Sequence, residues 1–308
     1  MSARAMSCRA LLKAYKKEKS IVYDVKKLIF KGIKGCDIYN PTVPFIDESK
    51  QIIAGRVEKR SNEHSTICFF ENRKGIWYLM ENMPVFPLQD PFVTQIDGQL
   101  LLGGVEVLIN PDHKVVWRTV LYKGSSVKNL LPFYVGPIGM KDLRLGQMVD
   151  GKILILTRPQ GGKGGRGKIG YLLLSRLDQL SSQRLEDAPL LEDYFALGEW
   201  GGANEIHPLK NGKAGVLGHI ACFDARGDRH YYSMAFTLNP LTGAHSPIEI
   251  IAIRTNFLNG PAKRPDLKDV IFTGGGIRYH STFTLYAGTS DAEAQKIVLN
   301  DPFLNYEK

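Results

Sequence analysis

The stretch Asp97-Gly98-Gln99-Leu100-Leu101-Leu102-Gly103-Gly104 opens with a two-residue turn and runs straight into a short apolar strand. Asp-Gly and Asn-Gly suit a type I′ hairpin turn, because both central residues need positive φ. The unit recurs. Asp47 to Arg56, Asp150 to Arg158 and Asn211 to His219 each join a polar turn to an apolar run that ends on a polar residue. Arg278 to Gly288 is a fifth copy without the glycine turn, and the copies lie about 50 to 70 residues apart. A hairpin repeated at that period predicts an all-β chain, a five-bladed β-propeller. A β-sandwich or a two-domain all-β chain is the competing arrangement.

Helical periodicity is confined to residues 7–17, with Leu11, Leu12 and Tyr15 on one side, and to a shorter segment at 175–180. The expected organisation is therefore a partly helical N-terminal extension over 1–26 and a propeller catalytic domain over 27–308. The hydrophobic fraction of 44% is enough for a core, and 23% charged residues is not the composition of a disordered chain. A formal net charge of +9 favours anionic partners. The basic clusters at 13–34 and 163–168 do not read as a single-strand binding face, so nucleic acid is not expected. No apolar run is long enough to span a membrane, and Cys8, Cys36, Cys68 and Cys222 follow no metal-binding spacing. The reading is a cytoplasmic protein with free thiols, no metal and no membrane partner. A homo-oligomer stays open.

In a propeller the inner strands line one channel, so residues at equivalent strand ends meet although they are distant in sequence. Arg56, Arg158 and His219 end three of the runs, and Asp90 precedes a fourth. Two arginines, a histidine and a carboxylate suit an anionic group beside an acid-cleaved bond.

These residues carry a resemblance. Asn40-Pro41 followed by Arg56, Gln89-Asp90-Pro91-Phe92, Thr157-Arg158-Pro159, Leu217-Gly218-His219, Tyr231-Tyr232, Asp269 to Gly274 and Tyr286 to Asp291 resemble, in order, the blade motifs of glycoside hydrolase family 130. That family holds inverting β-mannoside phosphorylases and related hydrolases. The chain looks most similar to a divergent branch, the mannosyltransferase/phosphorylases of glycosyltransferase family 108, which act on β-1,2-linked mannan. It departs from the phosphorylase pattern at Gln89 and Phe92, where Glu and Arg are usual, and at Trp200-Gly-Gly-Ala-Asn204, where many members carry a lysine.

The resemblance implies a function for each residue. Asp90 is the general acid, passing its proton through a sugar hydroxyl. Arg56, Arg158, His219 and either Tyr231 or Tyr232 hold phosphate. Asn40 and Asp269 bond hydroxyls of the mannosyl unit. Asp142 is a further carboxylate, and Trp200 offers a ring for a sugar face to stack on. A phosphorylase needs one carboxylic acid, because phosphate is already a nucleophile; an inverting hydrolase needs a second carboxylate as base, for which Asp142, Glu58 and Glu205 are the candidates. The expected partners are a mannose-containing oligosaccharide and phosphate or mannose 1-phosphate. No cofactor is expected beyond phosphate as co-substrate or a nucleotide-sugar donor. A β-mannoside hydrolase and a non-catalytic carbohydrate-binding propeller are the alternatives.

The loop Gly161 to Gly170 is rich in glycine, but it lies between two apolar runs and lacks the Gly-Lys-Ser/Thr that opens a helix in a nucleotide P-loop. It reads as a basic hairpin in which Lys163, Arg166 and Lys168 reach toward a diphosphate or an oligosaccharide.

Overall fold

A computed structural model describes residues 5–18, 21–191 and 194–307. Short strands dominate it. Among the described residues they form five antiparallel meanders. In the first, Lys50–Glu58 lies between Ser65–Arg73 on one side and the short strands Asp37–Tyr39 and Phe45–Asp47 on the other. Ile76–Leu79 and then Ile29–Lys31 extend its outer edge. The second runs Gln89–Ile96, Gln99–Ile109, Val115–Gly124, Leu131–Val135, and the third Arg144–Gln147, Ile153–Thr157, Gly170–Leu174. The fourth is Trp200–Pro208, Ala214–Phe223, Arg229–Leu238, Glu249–Ala252. The fifth, Asp269–Tyr279, Thr282–Thr289, Glu293–Asn300, is completed by Val22–Lys27. A strand from the segment read as an extension thus pairs with the last meander. A two-residue parallel ladder, His230–Asp269 and Tyr231–Val270, links the fourth and fifth.

The type I′ expectation holds at one of the three Asp-Gly and Asn-Gly turns; at Asp150-Gly151 and Asn211-Gly212 only the glycine takes positive φ (84° and 79°). Asp97 and Gly98 both adopt positive φ (51° and 71°), as a type I′ turn demands. The fifth copy differs from expectation: Arg278 to Gly288 contains the hairpin turn rather than following it. His280 takes the left-handed conformation (φ 54°), and Tyr279 pairs with Thr282 across it.

Helix Cys8–Glu18 buries Cys8, Leu11 and Tyr15 against the fourth meander. The helix expected at 175–180 is only a 3-10 turn, Leu177–Gln179. The Gln179 side chain accepts the Ser175 and Arg176 backbone N–H groups, and a short helix begins later, at Ser182–Glu186. No helix among the described residues is long and apolar enough to cross a membrane.

Innermost strands pack side by side. Lys50–Glu58 touches Gln89–Ile96, which touches Arg144–Gln147, which touches Trp200–Pro208, which touches Asp269–Tyr279. Asp37–Tyr39 then contacts Thr282–Thr289 and Glu293–Asn300, closing the circuit. Apolar clusters lie between neighbouring meanders; one joins Leu217 and Ala235 to Ile271, Phe283 and Leu285. The centre is polar by contrast, with Arg56, Asp142, Arg144, Arg158, Asn204 and His219 all buried. Buried charges of this kind persist only when paired.

Candidate active site

A cavity of about 540 Å³ opens on that polar centre. It brings together Asn40, Arg56, Asp90, Asp142, Arg158, His219 and Tyr231, which are contributed by four of the five meanders.

Asp90 owes its position to Pro91. The ladder between Gln89–Ile96 and Gln99–Ile109 shifts register between Gln89 and Phe92, a bulge where proline's missing N–H costs no hydrogen bond. Asp90 takes φ 49° there, and the bulge turns its carboxylate inward. Its Oδ1 accepts from Asn40 Nδ2 at 2.7 Å and from Arg56 Nη1 at 3.1 Å. The Arg56 guanidinium is itself anchored: Nε donates to Ser65 Oγ (2.8 Å), Nη2 to Glu58 Oε2 (2.7 Å), and the group lies over the Tyr39 ring. Glu58 also accepts from Tyr39, Ser65 and Lys263. Burial opposes its charge, but the Arg56 charge and the hydrogen bonds from Lys263 and Ser65 hold its carboxyl down to about 2.

Arg158 anchors the other side. Its Nε donates to the Gly201 carbonyl (2.7 Å) and its Nη1 to Asp142 Oδ2 (2.8 Å). Asp142 is fully enclosed; burial works against its ionisation, yet Arg158, Arg144 and Lys141 hold it down to about 2. His219 stacks on Tyr231 (centroids 5.5 Å, 17° between planes), with Nδ1 at 2.8 Å from Asn204 Oδ1. Burial and then the Arg158 charge push its imidazole down to about 3, so the ring is neutral at physiological pH. Lys141 links the two sides, because its ammonium feels Arg158 and Asp142 as well as Asp90 and Arg56.

Two glycines leave room for this packing. A Cβ on Gly202 would lie 2.5 Å from Arg158 Cδ and 3.1 Å from His219 Cε1, and one on Gly167 would meet the same guanidinium. Gly202→Ala is therefore expected to displace the Arg158 and His219 side chains by about 1 Å or more, which a crystal structure of the variant checks.

Glu58 and Asp142 both have depressed carboxyls. The stability they contribute is present above the ordinary values of 4.5 and 3.8 and is lost as pH falls toward about 2. The urea midpoint is expected to drop steeply over that window, and Glu58→Gln should flatten the slope.

Three candidate residues lie outside the cavity lining. Tyr231 and Tyr232 are neighbours on one strand and project to opposite faces. Tyr231 faces the cavity, whereas Tyr232 packs into the apolar cluster beneath helix Cys8–Glu18, its hydroxyl donating to Asp269. Asp269 is engaged by His230 Nδ1 at 2.6 Å. Trp200 stands behind the site: its Nε1 donates to Tyr231 Oη at 3.1 Å and its ring lies beneath Arg166. The basic hairpin likewise stays out of the cavity. Arg166 and Lys168 line a separate hollow of about 410 Å³, and Lys163 reaches the Glu186 carbonyl.

Sequence reasoning missed Asp291, Lys141, Trp117, Arg229 and Arg264, which also line the cavity. Asp291 was within reach, since it ends the closing segment Tyr286 to Asp291. With Ser290 it forms a left-handed turn (φ 55° and 49°) after Thr282–Thr289. Burial raises its carboxyl to about 6, with Arg56 opposing and the nearby Asp90 reinforcing the shift. A carbon-13 NMR titration is expected to show one aspartate with a midpoint near 6, absent in Asp291→Asn. Among the described residues no group of His, Cys, Asp and Glu is arranged to share a metal ion.

Solved structures share this architecture. A mannose phosphorylase of Leishmania mexicana, MPT-4, in complex with a phosphate ion, superposes with a TM-score of 0.88 at 30% identity, covering 96% of this chain and 94% of that one. MPT-1 of the same organism, a GDP-Man-dependent mannosyltransferase, gives 0.88 at 30% identity over 98% and 96%. A β-1,2-mannobiose phosphorylase of Listeria innocua shares the fold at 15% identity (TM-score 0.61, 90% and 94% covered). The class is thus the glycoside hydrolase family 130-like fold, as the motif order implied. Within it, the chain belongs to the family described as a protein of unknown function, DUF1861, whose model matches residues 14–305. Among curated proteins none matches the chain.

Proposed function

We propose that the five meanders are blades of one β-propeller catalytic domain, with helix Cys8–Glu18 as an extension, and that the chain is a cytosolic enzyme cleaving terminal β-1,2-linked mannosides with phosphate. The observation that supports it most is the pairing, in one cavity, of Asp90 on its bulge with an anion-facing set, Arg158, His219 and Tyr231. A phosphate oxygen attacks the anomeric carbon, the bond to the leaving oxygen breaks, and that oxygen takes a proton originating on Asp90. Inversion gives mannose 1-phosphate, and the same centre run backwards elongates the acceptor. Arg158, with Nε and Nη1 already fixed, offers Nη2 to the anion. His219 donates from Nε2 when the Asn204 amide turns its nitrogen toward Nδ1; as placed, that amide nitrogen is buried without a partner.

The carboxylates suggested for a hydrolytic base are occupied. Glu58 and Asp142 hold arginines, and Glu205 accepts the Gly276 N–H at 2.7 Å. This favours phosphate over water as the nucleophile. Transfer from a nucleotide sugar is the second reading, because identity to the phosphorylase and to the GDP-Man-dependent enzyme is equal.

Incubation with β-1,2-mannooligosaccharide is expected to yield mannose 1-phosphate only when phosphate is added. Free mannose without phosphate would make the chain a hydrolase. Product from GDP-mannose alone would make it a transferase, and no product in any arm would leave carbohydrate binding.

A further inference from the structure

A second group of reactive side chains meets where the N-terminal helix docks. Cys8 opens that helix, is buried, and donates its backbone N–H to both Glu199 carboxylate oxygens at 2.9 and 2.8 Å. The helix contacts strand Ala214–Phe223, and Cys222 near the strand's end packs against the same apolar cluster. Cys8 and Cys222 thus share one cluster, close enough for each thiol to influence the other. Directly across the ladder from Cys222 stands His230. Its Nδ1 is 2.6 Å from Asp269 Oδ2, and its Nε2 is 3.6 Å from Asp224 Oδ2. Cys222 therefore has a second thiol in its cluster and a carboxylate-backed imidazole across the ladder.

The groups facing the Cys222 sulfur divide its electrostatics. The Cys8 thiol favours the thiolate most, burial, Glu199 and Asp269 oppose it, and His230 favours it again. The net effect is a lowered thiol at Cys222 and a raised one at Cys8, which keeps its proton. Cys222 is half-buried, open to a small oxidant, and Cys8 is closed behind it.

We propose that Cys222 and Cys8 form a hydroperoxide-responsive thiol pair, with Cys222 the nucleophile and Cys8 the resolving thiol. The Cys222 thiolate attacks one peroxide oxygen and the O–O bond breaks. Sulfur is oxidised to a sulfenic acid, and the departing oxygen leaves as water or an alcohol with a proton from the His230 imidazolium. Cys8 sulfur then attacks the sulfenic sulfur. The S–O bond breaks, hydroxide leaves as water with the Cys8 proton, and the disulfide forms. That bond staples the helix to the strand that carries His219, three residues from Cys222, and oxidation is thereby coupled to the anion-facing side of the cavity.

The full-length protein, treated with excess hydrogen peroxide and blocked with N-ethylmaleimide, is digested without reductant and mapped by mass spectrometry. The expected product is a linked peptide pair holding Cys8 and Cys222, two hydrogens lighter than the sum, with free thiols falling from four to two. In the reduced native protein, iodoacetamide should label Cys222 at least about ten times faster than Cys68, and His230→Gln should remove most of that difference. In Cys8→Ser, dimedone should trap the sulfenic acid on Cys222. Wild-type protein that yields no Cys8–Cys222 pair, or labels Cys222 no faster than Cys68, would overturn the proposal without reliance on any variant.

Discussion

Asp90→Asn is expected to lower kcat for phosphorolysis by about a thousandfold, the scale of a lost general acid, while sugar binding changes little. Asparagine keeps the shape and one carbonyl oxygen, so the bonds from Asn40 Nδ2 and Arg56 Nη1 to that oxygen can persist. What disappears is the proton for the leaving oxygen. A substrate whose leaving group needs no proton, such as a nitrophenyl mannoside, should recover most of the loss. Single-turnover rates with both substrates, together with calorimetric binding of the oligosaccharide, separate chemistry from affinity. Retention of activity within about tenfold of wild type would remove Asp90 from the acid role.

The second large effect is Arg158→Ala. On the proposed reading it removes a phosphate ligand, and it takes from the fully enclosed Asp142 its nearest partner, at 2.8 Å, leaving Arg144 at 3.7 Å. Breaking a buried pair from one side typically costs about 3–5 kcal/mol, because the remaining charge stays desolvated. The urea midpoint should fall accordingly, and the KM for phosphate should rise by about a hundredfold. Adding Asp142→Ala should restore part of the stability, since the buried carboxylate is then gone while Arg144 keeps its bonds to the Asn204 and Leu143 carbonyls, and should leave phosphate binding weak. A double variant that regained both would show Arg158 to be structural only. Arg158→Lys tests the fork: one charge remains, but a single ammonium cannot bond Gly201 and Asp142 and still face the anion.

Much of the fold was legible in advance because the turns are chemically explicit. Asp97-Gly98, Asp150-Gly151 and Asn211-Gly212 can hardly do anything but reverse the chain, and each lies between paired strands in the structure. The hairpin at 279–282 hid its turn because His280 adopts left-handed backbone without a glycine to announce it. For the site, the strand-end arginines and His219 could be read from the repeat, and all of them face the cavity. Tyr231 and Tyr232 could not be separated by reading, since which of two adjacent residues faces inward depends on strand register, set by pairing with Ala214–Phe223. Asp269 and Trp200 carried the chemistry of sugar contacts, but His230 and Tyr231 occupy them.

Local signals in the chain determined that it is all-β, where the hairpins fall and which polar residues end the strands, because turn chemistry and two-residue alternation act over a few residues. The tertiary structure alone decided the rest. It made Asp90 and Arg56 partners 34 residues apart, placed Asp291 beside them with its carboxyl near 6, and set Cys8 against Cys222. The physical reason is range. A pKa, an ion pair and a thiol contact depend on distance and desolvation in space, which close only when strands far apart in the chain pack around a common centre.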